Sequence, residues 1–178
     1  LYNIGSRGDR ENAVFDDLEC IECIVKVMQN HLEAAEVLEM ACGALWTLIY
    51  ESNSRKERLL RAGGVDAVLC SFVMHHDTSP LLENAGGVFL SLSARASSSE
   101  AIISKQGIGI MVDTMRNNGS SVIILRTGTL FLRNMILICS GSLTEAEDAI
   151  TSVISGMQAT TDEAFQAEAC NFLWALSA

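Results

Sequence analysis

Ala41-Cys42-Gly43-Ala44-Leu45-Trp46-Thr47-Leu48 returns 128 residues later as Ala169-Cys170-Asn171-Phe172-Leu173-Trp174-Ala175-Leu176. The interval divides into three steps of about 43 residues, the period of stacked helical units. Weaker copies stand where the steps fall. One is Ala85-Gly86-Gly87-Val88-Phe89-Leu90-Ser91-Leu92 and the other Gly128-Thr129-Leu130-Phe131-Leu132-Arg133-Asn134-Met135. A period this regular predicts an all-α chain in which similar units stack side by side. Such arrays bind other chains far more often than they catalyse reactions.

The clearest unit is 53–92. Asn53 and Ser54 offer side-chain oxygens to cap a short helix over Arg55 to Ala62. Gly63-Gly64 ends it, because glycine tolerates the left-handed cap. Val65, Val68, Leu69, Phe72 and Val73 then fall at i, i+3, i+4, i+7 and i+8, one apolar face of a second helix. His75-His76-Asp77 closes that helix, and Pro80 suits the start of a third running to Leu92. The 16-residue step from Val65 to Leu81 recurs from Ile21 to Val37 and from Ile108 to Ile124. Gly107 stands where Gly64 stood, and Cys20 takes the corner of the first unit, with Arg10 to Asp17 as a remnant helix before it. In the last unit the step is 15 residues, no Gly-Gly corner precedes it, and a short or irregular first helix is expected.

This pattern resembles the armadillo repeat. The match runs through the Arg61-Ala62-Gly63-Gly64-Val65 corner and the run Val37-Leu38-Glu39-Met40-Ala41-Cys42-Gly43-Ala44-Leu45-Trp46-Thr47-Leu48. The family's run there is V-x-E-x-A-A-W-A-L-S-N-L, with a G-A-L-W-N-L variant. Each copy is degenerate, but four stand in phase over roughly 18–178. HEAT units, with two helices and a mid-repeat proline, fit the Gly-Gly corner less well. The resemblance implies an armadillo-type right-handed α-solenoid. It would be one domain over 1–178, with approximate units 1–50, 51–94, 95–139 and 140–178. The chain begins at Leu1 and stops within a motif at Ala178, so a piece of a longer protein is expected.

In armadillo proteins the third helices line a groove that holds an extended peptide through a ladder of asparagines. Carried over by position, the ladder falls on Thr47, Ser91, Asn134 and Ala175, and only Asn134 keeps the amide. An amide both donates to and accepts from a peptide backbone; Ser and Thr do so over a shorter reach, and Ala not at all. The tryptophan row of importin-alpha-like members falls on Gly43, Gly87, Leu130 and Asn171, none aromatic. The basic groove of catenin-like members is represented only by Arg126 and Arg133, with Arg95 beyond, against Glu36, Glu39, Glu83 and Glu168. The expected partner-binding groove is therefore of unusual chemistry. Met40, Gly43, Thr47 and Tyr50 come from its first third-helix, and Asn84, Gly87 and Ser91 from the next. Thr127, Leu130 and Asn134 come from the third, Asn171 and Ala175 from the last. Gly43 and Gly87 either leave gaps for a partner's side chain or ease helix packing. A rigid scaffold binds without the entropy cost of ordering itself.

The net charge is -10. Residues 1–40 carry three basic and nine acidic side chains, 41–119 seven of each, and 120–178 two and six. Nucleic-acid recognition needs clustered Lys and Arg, so it is not expected; an acidic surface favours a basic protein or peptide. No apolar run approaches the ~20 residues of a membrane span. Cysteines at 20, 23, 42, 70, 139 and 170 mostly lie in apolar helical runs, reading as buried thiols in a reducing compartment, cytosol or nucleus. The Asn118-Gly119-Ser120 sequon then marks only a turn.

Cys20-Ile21-Glu22-Cys23 has no second ligand pair for zinc, and core packing is its ordinary reading. Consecutive His75 and His76 point about 100° apart on a helix and do not face one ion. Asp16, Asp17, Glu19 and Glu22 form an acidic surface face. Trp46 and Trp174, at one register, are either a binding strip or packing between units. No phosphate loop, nucleophile elbow or HExxH pattern occurs. The expectation is a non-catalytic scaffold without metal or cofactor. Its alternative is an architectural or dimerisation segment of a larger protein, with end-to-end self-association. An enzyme using Cys20 and Cys23 ranks last.

Overall fold

Three left-handed corners set the rhythm of the chain. The structure, a computed structural model, describes residues 19–138 and 146–177. Among these residues are ten α-helices and no strand. They are α1 (Cys20–Asn30), α2 (Ala35–Ile49), α3 (Asn53–Arg61), α4 (Gly64–Met74), α5 (Ser79–Leu92), α6 (Ala96–Ile103), α7 (Gly107–Asn117), α8 (Val122–Ile138), α9 (Ala146–Ala159) and α10 (Glu163–Ser177). No helix crosses the expected boundaries at 50, 94 or 139. The remnant helix expected at Arg10 to Asp17 and the irregular one before Ile150 fall largely outside the described residues.

The corner before α4 is Gly63, at φ 77°, and the next residue must also be glycine. A Cβ on Gly64 would lie 2.9 Å from the Leu59 carbonyl oxygen and collide with the Leu59 side chain. One period later Gln106 makes the same turn at φ 60°, and a Cβ on Gly107 would lie 3.0 Å from the Ile102 carbonyl oxygen. Glu19 repeats it at φ 49° before α1. Two of the three corners thus hold L side chains in a conformation costing roughly 1–2 kcal/mol each.

Other ends shift slightly from the sequence expectation. Ser52, not Asn53 or Ser54, caps α3: its Oγ accepts the Arg55 N–H at 3.4 Å, so the helix starts two residues earlier. Pro80 sits in the first turn of α5, where its missing N–H costs nothing. Val73, expected in the core, is 62% exposed at the end of α4, while Val65, Val68, Leu69 and Phe72 are buried.

Long helices α2, α5, α8 and α10 each pack on the next in that order. A second row, α1, α4, α7 and α9, does the same behind them, and α3 packs on α6. One apolar cluster runs from Ile21 to Phe172. Its centre is an aromatic file: Phe72 to Phe89 at 5.3 Å and Phe89 to Phe131 at 5.8 Å between ring centroids. Polar latches join successive units. His75 Nε2–H donates to the Leu32 carbonyl at 2.7 Å, and Asn118 Nδ2–H donates to the His76 carbonyl at 3.1 Å. Both residues stand at the C-cap of their helix, α4 and α7. Asn118 also donates to the Thr114 carbonyl and is 9% exposed, so the residue that reads as a sequon is a latch.

Candidate partner-binding surface

The expected groove residues lie on the four long helices, except Tyr50 at the C-cap of α2, and their environments divide them into two sets. The first set is spent on packing. Ser91 is buried, and its hydroxyl donates to the Gly87 carbonyl at 2.9 Å. Thr47 does the same one unit earlier, donating to the Gly43 carbonyl at 2.9 Å. A hydroxyl four residues past an open carbonyl bonds its own helix. Gly87 is buried too. The Trp46 indole covers it so closely that a Cβ there would fall 2.6 Å from Cε2 and 2.8 Å from Cε3. The gap that glycine leaves is filled from within, so of the two readings of Gly87 packing is the right one. Gly43 is half-buried, and a Cβ there would meet Asn84 Nδ2 at 3.3 Å.

The second set faces outward. Met40 is 49% and Tyr50 62% exposed, Asn171 is exposed, and Leu130 and Ala175 are half-buried. Asn84 is half-buried and donates to the Glu39 carbonyl at 3.2 Å, tying α5 to α2. Thr127 is half-buried, with its methyl against Gly86. Asn134 is half-buried and donates through Nδ2 to Ser93 Oγ at 3.0 Å, so its amide N–H is engaged within the chain.

Three residues outside the expected set belong to this surface. Ile123 is 54% and Leu137 65% exposed, both on α8, and Arg126 between them is exposed. Leu137 holds the register of Tyr50 two periods on, which the sequence already carried. Of the arginines in a catenin-like reading, two are occupied. Arg133 pairs with Glu168 at 2.9 Å, joining α8 to α10. Arg95 pairs with Glu57 at 3.1 Å and donates to the Asn53 carbonyl. Glu36 is exposed and Glu39 half-buried on α2, so the acidic balance of the first helices persists at the surface.

The candidate chemical centres resolve differently. Cys20 is half-buried and Cys23 exposed, against the expectation of core packing; of the described cysteines only Cys42 is buried. Burial pushes the Cys42 thiol up to about 12, with a hydrogen bond to Ser71 opposing it. Glu22 takes a two-point clasp from Arg58, at 2.9 and 2.7 Å. That hydrogen-bonded guanidinium holds its carboxyl below the usual range. Lys56, 6% exposed, has its ammonium pKa lowered by burial and by nearby Arg95. Asp16 and Asp17 lie outside the described residues, as does Cys139. Among the described residues no three His, Cys, Asp or Glu side chains gather as a metal would need. No helix among them is long and apolar enough to cross a membrane.

No family model matches the chain, and no curated protein matches it. Among solved structures it is similar to the crystal structure of an engineered protein from the Northeast Structural Genomics Consortium. The TM-score is 0.68 at 16% identity, over 99% of this chain and 87% of that one. At that identity the likeness speaks for the fold alone.

Proposed function

We propose that this chain is an armadillo-type right-handed α-solenoid that acts as a non-catalytic scaffold, holding an extended protein segment of basic character along its long helices. The observation that carries this is the unbroken row α2, α5, α8 and α10, each packed on the next. Met40, Leu137 and Ile123 on that row and Tyr50 at the end of α2 are exposed, and would offer apolar contacts to a segment laid along it. Glu36 and Glu39 favour a basic partner.

Selection of binders from a library of extended peptides, followed by titration against surface variants, tests this. Met40→Arg and Leu137→Arg are expected to abolish binding of the selected basic peptides. Val73→Arg, equally exposed but on α4, should leave it intact. Peptides that bind all three variants equally place the site elsewhere and refute the proposal.

A further inference from the structure

Charge changes sign part-way along the row of long helices. Two residues before each copy of the repeated octapeptide stand Glu39 on α2, Glu83 on α5, Arg126 on α8 and Ala167 on α10. Glu36, one turn before Glu39, is exposed on the side of α2 away from buried Leu38, Cys42 and Leu45. Arg126 is exposed on the matching side of α8, away from buried Ile124, Gly128 and Leu132. Both lie opposite the core rather than at an end of the row. Charged side chains elsewhere are spent between units. Arg95 pairs with Glu57, Lys105 with Asp66, Arg116 with Asp148 and Arg133 with Glu168. Among the described residues, the charged groups of Glu36, Glu39 and Arg126 have no such partner. Glu83 does not supply one to Arg126, since its carboxylate accepts the Ser121 hydroxyl at 3.0 Å. The outward face of one row therefore keeps opposite charges unspent, acidic on α2 and basic on α8.

We infer that the segment held along the row is dipolar rather than uniformly basic, with a Lys or Arg over Glu36 and Glu39 and an Asp or Glu over Arg126. This rests on the scaffold reading above and adds to it the order of charge in the partner. Complementary charges set register and reject wrong partners more than they add raw affinity. The order decides which end of the segment lies on α2, because the reversed placement sets Lys against Arg126 and a carboxylate against Glu36. Packed helices lie about 8–10 Å apart, so α2 and α8 stand roughly 20 Å apart across α5. Extended chain covers about 3.3 Å per residue, which puts the basic and acidic residues of the segment about six apart. Ile123, three residues before Arg126, is 54% exposed, and Leu130, four after it, is half-buried; both offer apolar contact beside the acidic residue. Salt should weaken the association, since the distinguishing contacts are exposed ion pairs.

Random peptides of about twelve residues, long enough when extended to pass from α2 to α8, are selected against the chain and titrated by calorimetry or fluorescence anisotropy. The expected binders carry a basic and an acidic residue about five to seven apart. Arg126→Glu, at an exposed position, should weaken them roughly fivefold by turning an attraction into a repulsion. Changing the acidic residue of the peptide to Lys should restore binding to Arg126→Glu and impair it to the unaltered chain. Arg61→Glu, the same change of charge on exposed α3 surface, should leave every titration as it was. Binders that lack the acidic residue, or that hold Arg126→Glu as tightly as the unaltered chain, overturn this inference and leave the scaffold reading standing. If no peptide is selected, or if binding ignores Met40→Arg and Leu137→Arg, the scaffold reading fails and this inference falls with it.

Discussion

Replacing Gly87 with alanine should cost stability in the presence of Trp46 and add it in its absence. In a helix interior alanine is better than glycine by about 1 kcal/mol. Against that, the new methyl would stand 2.6 and 2.8 Å from indole carbons of Trp46, well inside contact distance. Gly87 is buried, so the ring has to swing outward, and such overpacking costs roughly 1–3 kcal/mol. The net expectation for Gly87→Ala is a loss of about 1 kcal/mol. Trp46→Ala alone removes a half-buried ring, a loss of about 2 kcal/mol if half the burial of a core Trp is forfeited. In that background the slot is empty, and Gly87→Ala should stabilise by about 1 kcal/mol. The two changes therefore couple by about 2 kcal/mol, with reversal of sign. Urea unfolding followed by far-UV circular dichroism measures all four corners of the cycle without depending on tryptophan emission. If Gly87→Ala stabilises equally with and without Trp46, the indole does not sit on Gly87, and the packing reading of that glycine fails.

Gln106→Gly should raise stability by up to about 1 kcal/mol by relieving the left-handed corner, whereas Gly64→Ala should cost about 2 kcal/mol or more, because the Leu59 carbonyl cannot yield; thermal melts decide both. Glu22→Gln should lower the melting temperature near neutral pH and lose that effect in acid. A carboxyl held below its unfolded value by Arg58 contributes stability above that value, and loses it as pH falls through the folded one. Melting curves of both proteins from pH 7 to about pH 3 should converge. With a thiol pushed up to about 12, Cys42 should resist alkylation in the native protein while exposed Cys23 and Cys170 react; site-resolved mass spectrometry reads this, and rapid labelling of Cys42 would contradict its burial. Thr129 is buried with no hydrogen-bond partner for its hydroxyl, so Thr129→Val should be neutral or stabilising by about 1 kcal/mol, and a clear loss in a denaturation curve would mean that the hydroxyl is satisfied.

The all-helical character and the helix phasing were legible because the 43-residue period fixes where each apolar face must fall. The corners were less so. Gly63 announces a left-handed residue, but Gln106 and Glu19 adopt the same conformation with nothing in their own chemistry to signal it. The surface was the hardest to read. Thr47 and Ser91 occupy the expected ladder positions, yet each hydroxyl turns to the carbonyl four residues back, an outcome decided by local geometry rather than by residue type. At Gly87 the sequence leaves gap and packing both open, because it does not say which side chain lies over the glycine. Trp46 and Trp174 share a register, yet Trp46 is half-buried over Gly87 and Trp174 is exposed, a difference that residue type does not announce. Leu137 shares the register of Tyr50, but a leucine in an apolar run carries no sign of its 65% exposure.

The latches set a limit on how the molecule yields to force. His75 reaches back 43 residues to Leu32, Asn118 reaches 42 to His76, and Asn84 reaches 45 to Glu39. Among the described residues, no side-chain hydrogen bond or ion pair between helices spans more than the last of these distances. Among the described residues, no such bond clamps the first helices to the last. Pulled apart, the described helices should yield in instalments of about one period, each loosening only its neighbour, rather than through the failure of a single lock.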